Sequence, residues 1–173
     1  MISVSVQAEP IDMAAAFADI ATAGVGGVAT FTGIVRADDG VSTLELEHYP
    51  GATEAALSRL AGEAVARWSL AGATIVHRVG VMQPGDPVVF VGTAAEHRAA
   101  ALDSCAFLID RLKTEAPFWK RETRSGEARW VEPRDGDSHA AARWKELLPS
   151  FGISTLLTTC TTPFDWRTSG VST

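Results

Sequence analysis

The sequence predicts one α+β domain in which most strands pair as hairpins beside a single long helix. Three observations carry the prediction. The chain has 173 residues, 46% hydrophobic and 21% charged, which is the size and apolar content of one domain with a true core. Apolar alternation of period two recurs in short runs separated by Gly- and Pro-containing turns. The longest stretch of helical period stops at Pro117, which biases its preceding residue out of helix.

Along the chain, Ile2, Val4 and Val6 alternate with polar neighbours and predict a half-buried strand. Asp12 is a helix cap by type, and the short helix after it is expected to turn Met13, Phe17 and Ile20 inward and to stop near Gly24. Residues 27–36, GVATFTGIVR, read as a long strand that ends at Arg36, just before the turn-like 37–40. Residues 44–49 alternate again. Thr53 is then expected to cap a helix with Leu57, Leu60, Ala61, Ala64, Val65 and Trp68 on its apolar face.

Residues 74–80 and 87–94 predict a hairpin across Pro84 and Gly85. From about 96 to 116 the period is helical, with Leu102, Cys105, Ala106, Ile109 and Leu112 as the expected inward stripe and Lys113 in the last turn. Residues 118–123 and 128–132 predict a second hairpin around Ser125 and Gly126, followed by a helix capped at Asp137 or Ser138 and running through Trp144 to Leu148. This places a single domain at 1–148. Residues 149–173 are rich in Ser and Thr without a clear period and read as a tail.

Composition removes several classes of function. A net charge of −6 and a pI near 5.2 argue against broad nucleic-acid binding, which calls for a positive surface. No run reaches the roughly 18 apolar residues of a membrane span, and the first residues lack the pattern of a secretory signal, so a soluble, cytoplasmic chain is expected. Cys105 and Cys160 form no CxxC or paired Cys/His spacing, so neither a disulfide framework nor a metal site is expected. Gly24, Gly26 and Gly27 precede a strand, whereas phosphate cradles precede helices; a loop is the better account. His48 and His77 fall within strands and read as packed or edge residues, and Trp119 and Trp130 as core or interface aromatics.

The informative count concerns cations. The chain has 12 arginines and only three lysines, Lys113, Lys120 and Lys145. An ammonium can release a proton near neutral pH where a guanidinium cannot. His97, Arg98, Arg111, Lys113, Lys120, Arg121 and Arg124 form a basic cluster in an otherwise acidic chain. The bland account is a solvated face with Asp103, Asp110, Glu115 and Glu122 as surface partners of little worth. Against a single shared site, His97 and Lys113 lie about 24 Å apart on one straight helix at 1.5 Å per residue. Either the helix begins later or a neighbouring chain completes the site. Pro117 turns the chain between Lys113 and Lys120, which lets both amines face one cleft.

The motifs FTGIVR (31–36), LELEHYPGATE (44–54), HRVGVMQPGD (77–86), EHR (96–98), LIDRLKTEAPFWKRE (108–122) and RWVE (129–132) together resemble the large, catalytic subunit of molybdopterin synthase, over residues 1 to about 144. The resemblance implies an α/β-hammerhead type of α+β fold, and a homodimer within a heterotetramer whose small ubiquitin-like subunits bring sulfur as a C-terminal Gly-Gly thiocarboxylate. It implies an enzyme that converts cyclic pyranopterin monophosphate (precursor Z) into molybdopterin, with no resident metal or cofactor. By motif, Lys113 and Lys120 match the family's functional lysines. Ile34, Val35, Arg36, His97, Arg98, Arg121 and Glu122 match its substrate pocket, and Arg134 matches a residue lent across the dimer. GD at 85–86 departs from the more usual GE, and the residues after Leu148 extend past the usual family end. Two other classes compete: a non-catalytic domain that binds a pterin phosphate and regulates, and a lysine-dependent Schiff-base enzyme that acts without a partner.

Overall fold

The computed structural model describes residues 1–22, 24–131 and 135–144 of the chain. Its elements run β1 (Ile2–Gln7), α1 (Met13–Ala18), β2 (Gly27–Ile34), β3 (Val41–His48), α2 (Ala52–Trp68), β4 (Gly72–Arg78), β5 (Gly80–Met82), β6 (Pro87–Ala95), α3 (Arg98–Glu115), β7 (Phe118–Arg124), β8 (Glu127–Val131) and α4 (Asp135–Ala142). They build two four-stranded sheets, ordered β1-β4-β6-β2 and β5-β3-β7-β8. The α+β class holds.

In the first sheet β4 and β6 pair antiparallel, Gly72 opposite Ala94, as the hairpin reading expects. The connection is less simple than a turn: β5 sits inside it and crosses to the second sheet, pairing Leu44 with Met82. β1 departs from the hairpin pattern altogether and pairs with β4 in parallel, Ile2 opposite Ala73. The second hairpin is present, Arg124 opposite Glu127, with Ser125 and Gly126 both at positive φ (49° and 85°) as a two-residue turn between right-twisted strands requires.

Helices α2 and α3 cover one face of the first sheet and enclose the main core, which includes Leu57, Leu60, Ala64, Ile75, Val91, Phe107 and Leu108. Burying side chains of this size stabilises by roughly 1.5–3 kcal/mol each. α1 packs on the opposite face, where Ile11, Ala16 and Phe90 form a smaller cluster. A third cluster, Val35, Leu44, Leu46 and Met82, ties the end of β2 to the second sheet.

Several local expectations are corrected. Asp12 does cap α1, its carboxylate accepting from the amides of Ala14 and Ala15 at 3.0 Å. The helix nevertheless ends at Ala18, Phe17 is exposed, and Ala16 and the post-helical Ile20 take the inward places. The cap of α2 is Gly51, whose amide donates to Glu54 at 2.6 Å. Thr53 lies inside the helix, fully buried, donating to the Pro117 carbonyl at 3.2 Å. On α3 the inward residues are Ala101, Ser104, Cys105, Phe107, Leu108 and Leu112, while Leu102 is exposed. The difference arises because α3 touches both the sheet and α2, so small residues meet the strands: Ala101 and Ser104 fit where Leu102 would not, and Thr93 donates to the Ala101 carbonyl at 2.7 Å. Trp119 and Trp130 are 50% and 55% exposed, so neither belongs to the core.

α4 begins at Asp135 rather than at Asp137 or Ser138, and the expected stretch 145–148 lies outside the described residues, as do the 149–173 tail and Glu132. Trp144 anchors this end of the chain: it packs edge-on against Trp68 and Phe107 and donates to Asp110 at 2.7 Å. No helix among the described residues is long and apolar enough to cross a membrane.

Candidate active site

The end of β2 and the inner face of the second sheet meet around a cavity of about 100 Å³ lined by Ile34, Val35, Arg36, Asp38, Val41, Leu44, Lys120, Glu122 and Arg124. Strand alternation explains which residues arrive there. Lys120, Glu122 and Arg124 are two apart on β7 and leave the same face, opposite Leu46, Leu44 and Val41 of β3. The other wall is set by backbone pairing. Val35 donates to the Asp86 carbonyl and accepts from the Gly85 amide, both at 2.9 Å, which fixes the 34–36 segment just past a register shift between Gly33 and Ile34.

Glu122 is the electrostatic centre of this arrangement. Only 7% exposed, it pairs with Lys120 Nζ at 2.5 Å through one oxygen and with Arg124 Nη2 at 2.7 Å through the other. Burial raises the carboxyl's affinity for a proton, but the hydrogen bonds and charges of Lys120 and Arg124 outweigh it and hold the group below its ordinary range. It is not the solvated surface partner that the charge pattern suggested. Arg36 forms an exposed ion pair with Asp38 at 3.1 Å.

Of the ten residues singled out from the sequence, Ile34, Val35, Arg36, Lys120 and Glu122 therefore share one cavity. Lys113 is exposed in the last turn of α3 and is not among the residues lining it. Arg121 leaves the opposite face of β7, paired with Glu45 and lying 5.3 Å from the Trp130 ring. His97 and Arg98 stand exposed at the start of α3, His97 as its N-cap. Arg98 lies over the start of β2, its Cα 3.3 Å from where a Cβ on Gly27 would stand, and a Cβ on Gly26 would lie 2.1 Å from the Glu96 carbonyl oxygen, so only glycine fits there. The helix does begin later than the pattern suggested, by two residues, but its 18 residues still span about 27 Å, which keeps Arg98 at the far end of α3 from Lys113. Arg134 lies outside the described residues.

Sequence reasoning passed over Asp38, Val41, Leu44 and Arg124 as cavity residues. Only Arg124 carried a signal, as the last member of the basic cluster. Arg111 of the same cluster is structural, paired with Glu115 and Glu63 and set over the Phe107 ring at 5.1 Å. His77 is buried, stacked on Phe118 with ring centroids 4.0 Å apart, and serves packing as expected. Burial pushes the Cys105 thiol up to about 11, which leaves it a packed apolar residue rather than a nucleophile.

An α+β scaffold that presents two cations around a buried carboxylate, next to a strand-end arginine, is of the class able to receive a small anion. A model of the MoaE protein family matches residues 6–115, and the chain belongs to that family. The molybdopterin synthase catalytic subunit of Pseudomonas aeruginosa is 52% identical over 126 residues, covering 71% of this chain and 84% of that protein. The one from Mesorhizobium japonicum is 47% identical over 148 residues, covering 83% and 93%. Among solved structures, the molybdopterin biosynthesis MoaE protein of Burkholderia ambifaria superposes with a TM-score of 0.73 at 46% identity, covering 84% of this chain and 99% of that one.

Proposed function

We propose that this chain is the catalytic subunit of a molybdopterin synthase, a sulfurtransferase that converts cyclic pyranopterin monophosphate into molybdopterin. Sulfur arrives as the C-terminal Gly-Gly thiocarboxylate of a small ubiquitin-like subunit. The observation that carries the reading is the convergence of Arg36, Lys120 and Glu122, from two different sheets, on one cavity. A cyclic phosphate and a thiocarboxylate repel each other, and fixed cations in a partly desolvated pocket offset that repulsion.

In this reading the thiocarboxylate sulfur forms a C–S bond to a side-chain carbon as that carbon's C–O bond breaks, the departing oxygen taking a proton. Where that oxygen belongs to the cyclic phosphate the ring opens, and water then cleaves the acyl thioester to a carboxylate on the carrier and a thiol on the substrate. Lys113 handles proton transfer beside the partner's terminus. Lys120, oriented by Glu122, holds charge on the substrate. The single domain at 1–148 works as a homodimer within a heterotetramer. A second copy supplies His97, Arg98 and Arg134, which accounts for the absence of His97 and Arg98 from the cavity lining in one chain. A cytoplasmic location suits a reduced sulfur donor, since that compartment keeps such groups from oxidising.

The test is to combine the purified chain with thiocarboxylated small subunit and precursor Z and to follow molybdopterin formation. Product formed in proportion to carrier consumed is the expected result. Binding of precursor Z with no product at any carrier concentration would overturn the reading in favour of a regulatory pterin-binding domain.

A further inference from the structure

Arg124 ends β7 and lines the cavity, yet nothing in the proposed chemistry uses it. Its placement is enforced. Two of its nitrogens donate to the same Glu122 oxygen, Nη2 at 2.7 Å and Nε at 3.3 Å, while Lys120 takes the other oxygen. A buried carboxylate thus holds the guanidinium at the strand end, and the side chain stays 42% exposed.

Charge and size say what this serves. Among the described lining residues, Arg36, Lys120 and Arg124 are cations and Asp38 and Glu122 anions. Without Arg124 the two signs balance, so this residue makes the wall net positive. With a volume of about 100 Å³ and three cations on its wall, the cavity admits a small anionic group.

We propose that Arg124, held by Glu122, is a further anion-positioning residue that binds, together with Arg36 and Lys120, one small oxyanion or thio-oxyanion in this cavity. The inference rests on the proposed sulfur transfer, which offers two sources of that group: the substrate's phosphate and the carrier's terminal thiocarboxylate.

The experiment compares wild type with Arg124→Gln and Arg124→Lys in the assembled complex. Precursor Z is varied at saturating carrier, then carrier at saturating precursor Z. Loss of one charge-assisted contact predicts a rise in KM of about tenfold or more for one of the two, with kcat within a few-fold and Lys restoring part of the loss. A shift confined to precursor Z identifies the phosphate, and one confined to the carrier identifies its terminus. If both KM values stay at wild-type levels in Arg124→Gln, the inference is wrong. Titration with inorganic phosphate and with a peptide ending in Gly-Gly supplies a reading independent of turnover. Should wild type form no product yet bind either probe more tightly than Arg124→Gln does, the functional reading falls and the anion site stands. Equal affinities for both probes would remove the site.

Discussion

Lys120 and Glu122, two residues apart on β7, meet at 2.5 Å on the cavity wall, the ammonium side chain 37% exposed and the carboxylate side chain only 9%. Strand alternation turns both to one face, and the low exposure of the carboxylate makes its countercharges indispensable. The pair couples the stability of β7 to the electrostatics of the site.

Replacing Glu122 with Gln should therefore act on both. It removes the acceptor that fixes Lys120 and Arg124 and leaves two like charges side by side, so turnover should fall at least about tenfold and stability by about 1–3 kcal/mol. The acid limb adds a signature. Because the folded carboxyl is held below 4.5, its contribution is present above that value and is lost as pH falls through the lower, folded value. Urea melts should show wild type losing stability below about pH 4.5 more steeply than Glu122→Gln; parallel curves would count against the pairing.

His77 titrates in a different window. Burial lowers its pKa from 6.5 to about 4, while Nδ1 donates to the Arg78 carbonyl at 2.9 Å in the neutral ring. The unfolded chain accepts a proton that the buried ring refuses, so stability is complete above pH 6.5 and declines between there and about 4. The full decline is about 3 kcal/mol at 1.36 kcal/mol per unit. His77→Phe should flatten that slope, at about 1 kcal/mol for the lost hydrogen bond at neutral pH. Denaturation midpoints at several pH values check this.

The two lysines should separate in kinetics. Lys113 is exposed at the end of α3, so Lys113→Ala should change stability by no more than about 0.5 kcal/mol while lowering kcat by about 100-fold if it carries the proton. Lys120→Ala should raise KM for precursor Z and weaken the Glu122 cluster. Unchanged turnover in Lys113→Ala would refute its assigned role.

Trp144 tests how the chain's described C-terminal end is held. Its ring lies edge-on to Phe107 at 5.7 Å and to Trp68 at 5.9 Å, and its indole N–H satisfies Asp110. Trp144→Ala should cost about 3–5 kcal/mol, and Trp144→Phe, which keeps most of the ring contact, should lose about 1 kcal/mol with the hydrogen bond. Urea denaturation measures both.

Much of this was legible without coordinates. The alternation of β1, the Ser125–Gly126 turn, the stripe of α2 and the Asp12 cap are local patterns, and local patterns follow from φ/ψ preferences and side-chain period. The chemistry of Arg36 and Lys120 was readable for a similar reason, since rare residue types in a specific motif stand out against composition. Glu122 was singled out by its motif, but its burial was not legible, because burial depends on what packs above a strand, which its own neighbours do not encode.

Periodicity thus determined which elements form and which residue types stand at the end of β2 and along β7. Only the tertiary structure decided that β1 pairs in parallel with β4, that α3 turns Ala101 and Ser104 rather than Leu102 to the sheet, and that Arg121 and Lys120 part to opposite faces. It also set Arg98 over the start of β2 and Lys120 in the cavity at its other end. These outcomes depend on contacts between residues distant in the chain, whose free energy is set by shape and desolvation where elements meet. A pattern within one element can show that a buried face exists, but the partner packed against it determines which face that is.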